Sequence, residues 1–277
     1  MPNSTVPTVT LRNGLELPAL GMGTWPMDDA QAADAVATAV ETGYRLFDTA
    51  ENYGNEAGVG EGIRRSGIAR SDVVITTKFN KRWHSRDGVR QAFSASAQRL
   101  GTDYIDLLLV HWPNPDQDQY VEAVLGLNDL LEEGLIRGIG VSNFKPAHLQ
   151  RLADAGVIPD LNQIQVDPRR TREASRQANN RLGIVTESWS PLGRDGGLLE
   201  DTAVTALAAK YGKTPGQIVL RWHVQQGLVP IPKASSREHL AENLAVFDFA
   251  LEETEIADLS ALDTGEAGIL DSDSFGH

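Results

Sequence analysis

Three observations on the sequence predict an α/β fold, a (β/α)8 TIM barrel. Eight short apolar runs alternate with longer amphipathic ones. The fourth run, IDLLLV, is apolar on both faces, and side chains with exchangeable protons recur where the runs end. Such alternation is how parallel βαβ units read in sequence, and a strand covered on both sides has no polar face to show.

Before the first unit, apolar residues 9–11 and 15–17 flank Asn13-Gly14. That pattern predicts a hairpin with a type I′ turn, placed as a plug on the bottom of the barrel. Strands are expected at 20–23, 45–48, 73–77, 106–110, 138–142, 161–165, 183–188 and 229–231. The intervening helical patterns are 29–42, 56–65, 87–100, 120–133, 146–155, 172–181, 215–226 and 236–246. Two extra helices, 201–211 and 252–262, go beyond a minimal barrel. No linker or low-complexity run interrupts the pattern, and barrels commonly reach this length as one unit, so residues 1–277 are read as a single domain.

The formal charge is −13, from 38 acidic and 25 basic residues. A surface of that sign repels phosphate backbones and anionic lipid at long range, which argues against nucleic acid and membrane partners. Phosphate must then be met by a local site. There is no cysteine, which removes disulfides, thiol nucleophiles and thiolate metal sites. The N-terminal stretch has no signal-like apolar core and no apolar run approaches a membrane span, so a cytoplasmic location is the default expectation; a monomer is taken as the default oligomeric state. The histidines show no paired ligand spacing and HExxH is absent, so no metal is expected. GxGxG at 58–62 lacks the preceding strand of a dinucleotide fingerprint and is read as glycine usage at a helix start.

In a barrel, functional side chains sit just after strand C-termini. Here Asp48 ends the second strand and Tyr53 lies in the loop after it; Lys78 follows the third strand and His111 the fourth. Ser142 and Asn143 follow at the fifth, Gln163 lies in the sixth, and Trp189 follows the seventh. A phenol donates a proton poorly at neutral pH, but a lysine cation beside Tyr53 lowers its pKa, and Asp48 keeps that lysine charged and in place. His111 then polarises a carbonyl oxygen beside the phenol. Trp25, Trp83 and Trp112, in loops after the first, third and fourth strands, are candidates to line an apolar substrate pocket. Trp222, inside a helical run, reads as core.

An anion site is expected after the eighth strand. Lys233 ends that strand, and Ser235-Ser236-Arg237-Glu238 reads as a capping box opening the last barrel helix, whose free N–H groups favour phosphate.

The residues that carry these features resemble the aldo-keto reductase family along the whole chain. The matching segments are GYRLFDTAENYGNEAGVG (43–60), ITTK (75–78), LLLVHWP (107–113), RGIGVSNF (137–144), NQIQ (162–165) and SWSPLG (188–193). Within the family the chain is most similar to the bacterial branch that includes 2,5-diketo-D-gluconate reductases. The resemblance implies NAD(P)H-dependent reduction of aldehydes or ketones, with a tetrad of Asp48, Tyr53, Lys78 and His111 and Tyr53 as general acid. It also implies that Ser142, Asn143 and Gln163 hold the nicotinamide carboxamide and Trp189 stacks on the ring. By the same resemblance, Ser190, Pro191, Leu192, Lys233, Ser235 and His239 contact the cofactor, and Glu242 and Asn243 meet the adenine.

The chain departs from the family at Ala234 and His239, where Ser and Arg usually help to bind the 2′-phosphate. NADPH is therefore expected as cofactor with appreciable NADH use. Phe79-Asn80 replaces a frequent Leu-Trp, and the tail 265–277 lacks a frequent Arg. Two other readings compete: a barrel glycosidase using Asp48 and Glu187, and a redox-sensing nicotinamide-binding module with little turnover. Lys78 beside Asp48 argues against the first because it would keep that carboxylate ionised, and the reading leaves Tyr53 and His111 unexplained. The intact tetrad argues against the second.

Overall fold

A computed structural model describes residues 6–194, 197–266 and 268–277. A short antiparallel pair, β1 (Thr8–Thr10) and β2 (Glu16–Pro18), precedes eight parallel strands. These are β3 (Met22–Gly23), β4 (Leu46–Asp48), β5 (Val74–Phe79), β6 (Ile105–Val110), β7 (Ile136–Ser142), β8 (Leu161–Gln165), β9 (Val185–Trp189) and β10 (Val229–Pro230). They pair in sequence order, and the ring closes where Gly21 and Gly23 donate to the carbonyls of Pro230 and Pro232.

Helices α1 (Asp29–Thr42), α2 (Glu56–Ser66), α3 (Arg86–Leu100), α4 (Tyr120–Glu132), α5 (Pro146–Asp154) and α6 (Glu173–Arg181) follow the first six barrel strands in turn. After β9 come α7 (Thr202–Tyr211) and α8 (Pro215–Gln225); after β10 come α9 (Arg237–Leu244) and α10 (Glu253–Ser260). The two extra helices, α7 and α10, share an apolar cluster with α8 built on Val204, Ala208, Ile218, Trp222 and Leu259. Trp222 is fully buried, as its helical setting predicts, and its Nε1 donates to Ser260.

The barrel interior has an apolar lower layer of Leu46, Val74, Leu107, Leu109, Leu161 and Val229, sealed from below by Leu11 and Leu17 of the hairpin. β7 contributes no side-chain bulk there. A Cβ on Gly138 or Gly140 would stand 2.8 or 2.5 Å from the leucines of β6, so glycine is what lets those leucines fill the barrel. Asn13 locks the plug by donating to the carbonyl of Arg137 at 2.8 Å.

Three local expectations are corrected. A type I′ turn needs positive φ at both central residues, but only Gly14 has it, at +87°. Gly14 donates to Leu11 and Leu11 to Leu15, so residues 12–14 form a three-residue loop with the glycine in the left-handed position. The predicted capping box also shifts by one residue. Ser236, not Ser235, caps α9 and accepts from the N–H of His239, so His239 rather than Glu238 occupies the third helical position. Gly183 is at φ +69° in the turn after α6, which is why β9 starts two residues later than expected.

The GxGxG glycines lie inside α2 and permit close approach rather than starting the helix. A Cβ on Gly58 would stand 2.2 Å from the carbonyl oxygen of Asp29 on α1, and one on Gly60 2.1 Å from that of Leu100 on α3. Gly60→Ala therefore forces backbone apart and is expected to lower the unfolding free energy by about 1–3 kcal/mol. Gly216→Ala, whose Cβ meets nothing nearer than 3.9 Å, serves as the tolerated control. Chemical denaturation of both variants checks the contrast, and equal stability would mean that α2 and α3 can separate at no cost.

A second prediction concerns His84, which is 1% exposed with neither ring nitrogen hydrogen-bonded among the described residues. Burial, opposed by Asp116, pushes it down to about 4. The unfolded chain binds this proton from about pH 6.5 downward, so stability is expected to fall between about pH 6.5 and 4, by roughly 3 kcal/mol at the acid end. His84→Phe should flatten that part of the stability–pH curve; the same slope as in the parent would show that His84 takes up its proton without unfolding.

Candidate active site

The polar layer begins directly above the leucines. Leu46 and Asp48 lie two apart on β4, as do Thr76 and Lys78 on β5 and Leu161 and Gln163 on β8, so period-two alternation turns both members of each pair inward. Lys78 falls within β5, which runs on to Phe79, instead of following the strand as expected, and it is fully buried. Its Nζ donates to Asp48 Oδ1 at 2.8 Å, to the carbonyl of Thr49 at 2.9 Å and to the hydroxyl of Tyr53 at 3.3 Å. Tyr53 closes a single 3-10 turn, Glu51–Tyr53, that ends at Gly54 in the left-handed region. Asn55 anchors this turn: it is fully buried, accepts from Thr49 Oγ1, and donates to the carbonyls of Thr24 and Met27.

Burial works against the Lys78 ammonium, but Asp48 and Tyr53 hold it charged, above the ordinary lysine range. The sequence-based expectation for Tyr53 is corrected. Burial raises the phenol more than Lys78 lowers it, and the Asp48 and Glu187 carboxyls push the same way. The group is therefore a firmly protonated phenol rather than an acidified one. His111 follows β6 with its ring centroid 6.1 Å from that of Tyr53. Burial, assisted by Lys78 and His277, pushes it well below the usual histidine range, so it is a neutral imidazole.

Ser142 ends β7, and Asn143 after it sits at φ +64°. Asn143 donates to the carbonyl of His111 and to Ser142 Oγ, and accepts from Trp189 Nε1 at 2.9 Å. Ser142 Oγ donates to the backbone carbonyl of Gln163. Gln163 Nε2 lies 2.8 Å from Asp48 Oδ2 and 2.6 Å from Glu187 Oε2. Six predicted residues, Asp48, His111, Ser142, Asn143, Gln163 and Trp189, are thus joined to Lys78 and Tyr53 in one structure.

The peripheral candidates divide. Trp112 is 4% exposed and stacks beside His111. Trp25 is 55% exposed, and the Arg194 guanidinium lies over both its ring and that of Trp189. Trp83 donates to Glu51, next to the turn that carries Tyr53, under the guanidinium of Arg82. Ser190, at φ +49°, accepts from Arg194; Pro191 is buried; and Leu192 packs into the core rather than standing free.

Lys233 bridges to Gly23 at the barrel seam and, among the described residues, has no ion-pair partner. Ser235 and His239 are exposed near it, and Ala234 is buried. Arg237 is drawn away by an ion pair with Glu41 on α1. Glu242 is half-buried and Asn243 is buried, close to where the Tyr44 hydroxyl donates to the carbonyl of Leu240. An unpaired lysine beside a capped helix start, on a chain with excess carboxylate, fits a phosphate-bearing cofactor.

Sequence reasoning gave the tail no role, yet it returns to the site. Lys145 bonds Asp271 at 2.5 Å and Asp273 at 2.6 Å, and His148 lies 3.0 Å from Asp273. Phe275 then packs edge-on against Trp112, and His277 sits with its ring 4.8 Å from that of His111 and its Nε2 2.6 Å from Asn52 Nδ2. No local signal marks this pairing, because its partners are about 130 residues apart along the chain.

Comparison with known proteins agrees with the geometry. The aldo/keto reductase family model matches residues 19–264. Methylglyoxal reductase DkgA of Escherichia coli strain K12 is 44% identical over 278 residues, covering 100% of both chains. A crystal structure of an aldo/keto reductase from Brucella melitensis superposes with a TM-score of 0.90 at 43% identity, covering 94% of this chain and 100% of that one. The Bombyx mori aldo-keto reductase in complex with NADP gives 0.87 at 35% identity, covering 94% of this chain and 93% of that one. The chain belongs to the aldo/keto reductase family and is an oxidoreductase that reduces carbonyl groups with a nicotinamide cofactor.

Proposed function

We propose that the chain reduces small aldehydes and α-dicarbonyls such as methylglyoxal, the substrate in the name of its Escherichia coli relative, with Tyr53 as the proton donor. The observation that carries this reading is the buried Asp48–Lys78 pair reaching the half-buried Tyr53 hydroxyl, with the neutral His111 beside it. NADPH, when bound, supplies the hydride. The chain's own residues supply the rest. The charged Lys78 donates to the Tyr53 oxygen, so negative charge left on that oxygen after proton transfer is met at once. Neutral His111 offers a ring N–H to the same carbonyl oxygen without a competing positive charge. Trp112, with Phe275 and His277 of the tail, supplies an aromatic wall that excludes water from the reacting face.

In the same reading Gln163 presents its Oε1 to the carboxamide, Trp189 flanks the ring once Arg194 yields its place, and Lys233, Ser235 and His239 receive the 2′-phosphate. The protein is taken as a single-domain cytoplasmic monomer. The glycosidase alternative has no room, because the Gln163 amide stands between Asp48 and Glu187 where a sugar ring would have to sit.

Tyr53→Phe is expected to lower kcat for methylglyoxal reduction by about 100-fold or more, the scale of a lost general acid, with NADPH affinity nearly unchanged. Stopped-flow turnover and cofactor titration measure the two separately; retention of most turnover would remove Tyr53 from the role. Cofactor choice gives an independent test. With Arg237 paired to Glu41, Lys233 faces the phosphate beside a histidine in place of the family's usual arginine, so NADH should be used appreciably. His239→Arg adds one charge-assisted contact and should raise the NADPH-to-NADH ratio of kcat/KM by roughly tenfold. An unchanged ratio would place position 239 away from the phosphate.

A further inference from the structure

Glu187 is a buried acid that the tetrad does not use. It is 0% exposed, its Oε2 accepts from Gln163 Nε2 at 2.6 Å, and its Oε1 has no hydrogen-bond partner among the described residues. The same Nε2 donates to Asp48 Oδ2, whose other oxygen receives Lys78. Two carboxyls and one ammonium therefore share one buried layer, with the half-buried Tyr53 phenol at its edge. With both carboxyls ionised the layer would carry a net negative charge, at a cost of several kcal/mol for the uncompensated ion. One carboxyl must hold a proton. Burial lifts both Asp48 and Glu187, but Lys78 touches Asp48 directly, so Asp48 is the ionised member. Burial and the neighbouring Asp48 charge push Glu187 up to about 8.

The ionised Asp48 also fixes which end of the Gln163 amide is which. An amide oxygen 2.8 Å from a carboxylate would be repelled, so the NH2 group must face Asp48. Its second N–H goes to Glu187, and both donors are then committed to carboxyls. Oε1 is the part of the amide left to a ligand.

We propose that Glu187 is a positioning residue for the cofactor: as a neutral carboxylic acid it holds the Gln163 amide so that Oε1 stays available as acceptor for a carboxamide N–H. This rests on the Gln163 contact proposed above. A carboxylic acid is suited to the place because it accepts from Gln163 without adding a second buried negative charge beside Tyr53.

Two measurements test it. Infrared spectroscopy of the cofactor-free protein near neutral pH should show the C=O stretch of a protonated carboxylic acid that disappears in Glu187→Gln. No such band in the parent, or a band that persists in the variant, overturns the proposal. Fluorescence titration with NADPH should show weakening of about fivefold to tenfold in Glu187→Leu and in Gln163→Leu, the scale of one lost hydrogen bond, and near-parent affinity in Glu187→Gln, whose carbonyl accepts as before. Weakening in Gln163→Leu with parent affinity in Glu187→Leu overturns the role of Glu187 and leaves the Gln163 contact standing. No change in Gln163→Leu overturns that contact, and this proposal with it. If Glu187→Leu does not fold, the infrared band and the Glu187→Gln titration decide the matter.

Discussion

The contact on which the site depends is the buried ion pair of Lys78 and Asp48. An ammonium without solvent exposure is tolerated only if its donors are met, and Asp48, the Thr49 carbonyl and the Tyr53 hydroxyl receive its three. Breaking such a pair by removing one partner leaves the other as a buried, uncompensated charge, commonly at about 3–5 kcal/mol. The pair also orders what surrounds it. One Asp48 oxygen takes Lys78 and the other takes Gln163, whose amide also reaches Glu187, so side chains of β4, β8 and β9 are tied into one row.

The same pair explains why a phenol with raised pKa suits the task. In the proposed mechanism a neutral Tyr53 keeps its proton until charge develops on the carbonyl oxygen, and Lys78 stands where the phenolate charge would appear. The cation would then act by stabilising the product of proton transfer, with no need to acidify the resting phenol. A neutral His111 is the complement. A second cation so near Lys78 would be repelled, and burial together with Lys78 keeps the imidazole uncharged.

Much of this was legible in the sequence, for a physical reason. A parallel barrel has one functional rim, so a polar residue at the end of an apolar run maps directly to a position in space, and Asp48, Lys78, His111, Gln163 and Trp189 could be placed by counting strands. Register within turns was not legible in the same way. Asn13-Gly14 and Ser235-Ser236 each admit two arrangements one residue apart; Asn13 docks onto the distant Arg137, and Ser236 takes the cap by accepting from the N–H of His239. The tail was illegible because two aspartates and a phenylalanine carry no local signal for Lys145 or Trp112. Glu187 was visible as a carboxyl but assigned to the wrong alternative, since sequence spacing does not show an amide lying between it and Asp48.

The polar layer survives because of what lies beneath it. Water reaching Lys78 from below would weaken its pairing with Asp48 and relieve the pressure that keeps Glu187 protonated and His111 neutral. The leucine layer and the hairpin plug deny that route, and they can do so only because β7 contributes glycines where Leu107 and Leu109 need space. A larger residue at Gly140 would displace leucine from the barrel floor rather than touch any side chain of the site. The electrostatics of the rim are thus set partly by packing at the opposite end of the same strands, and the hairpin that sequence reading treats as a plug belongs, in energetic terms, to the active site.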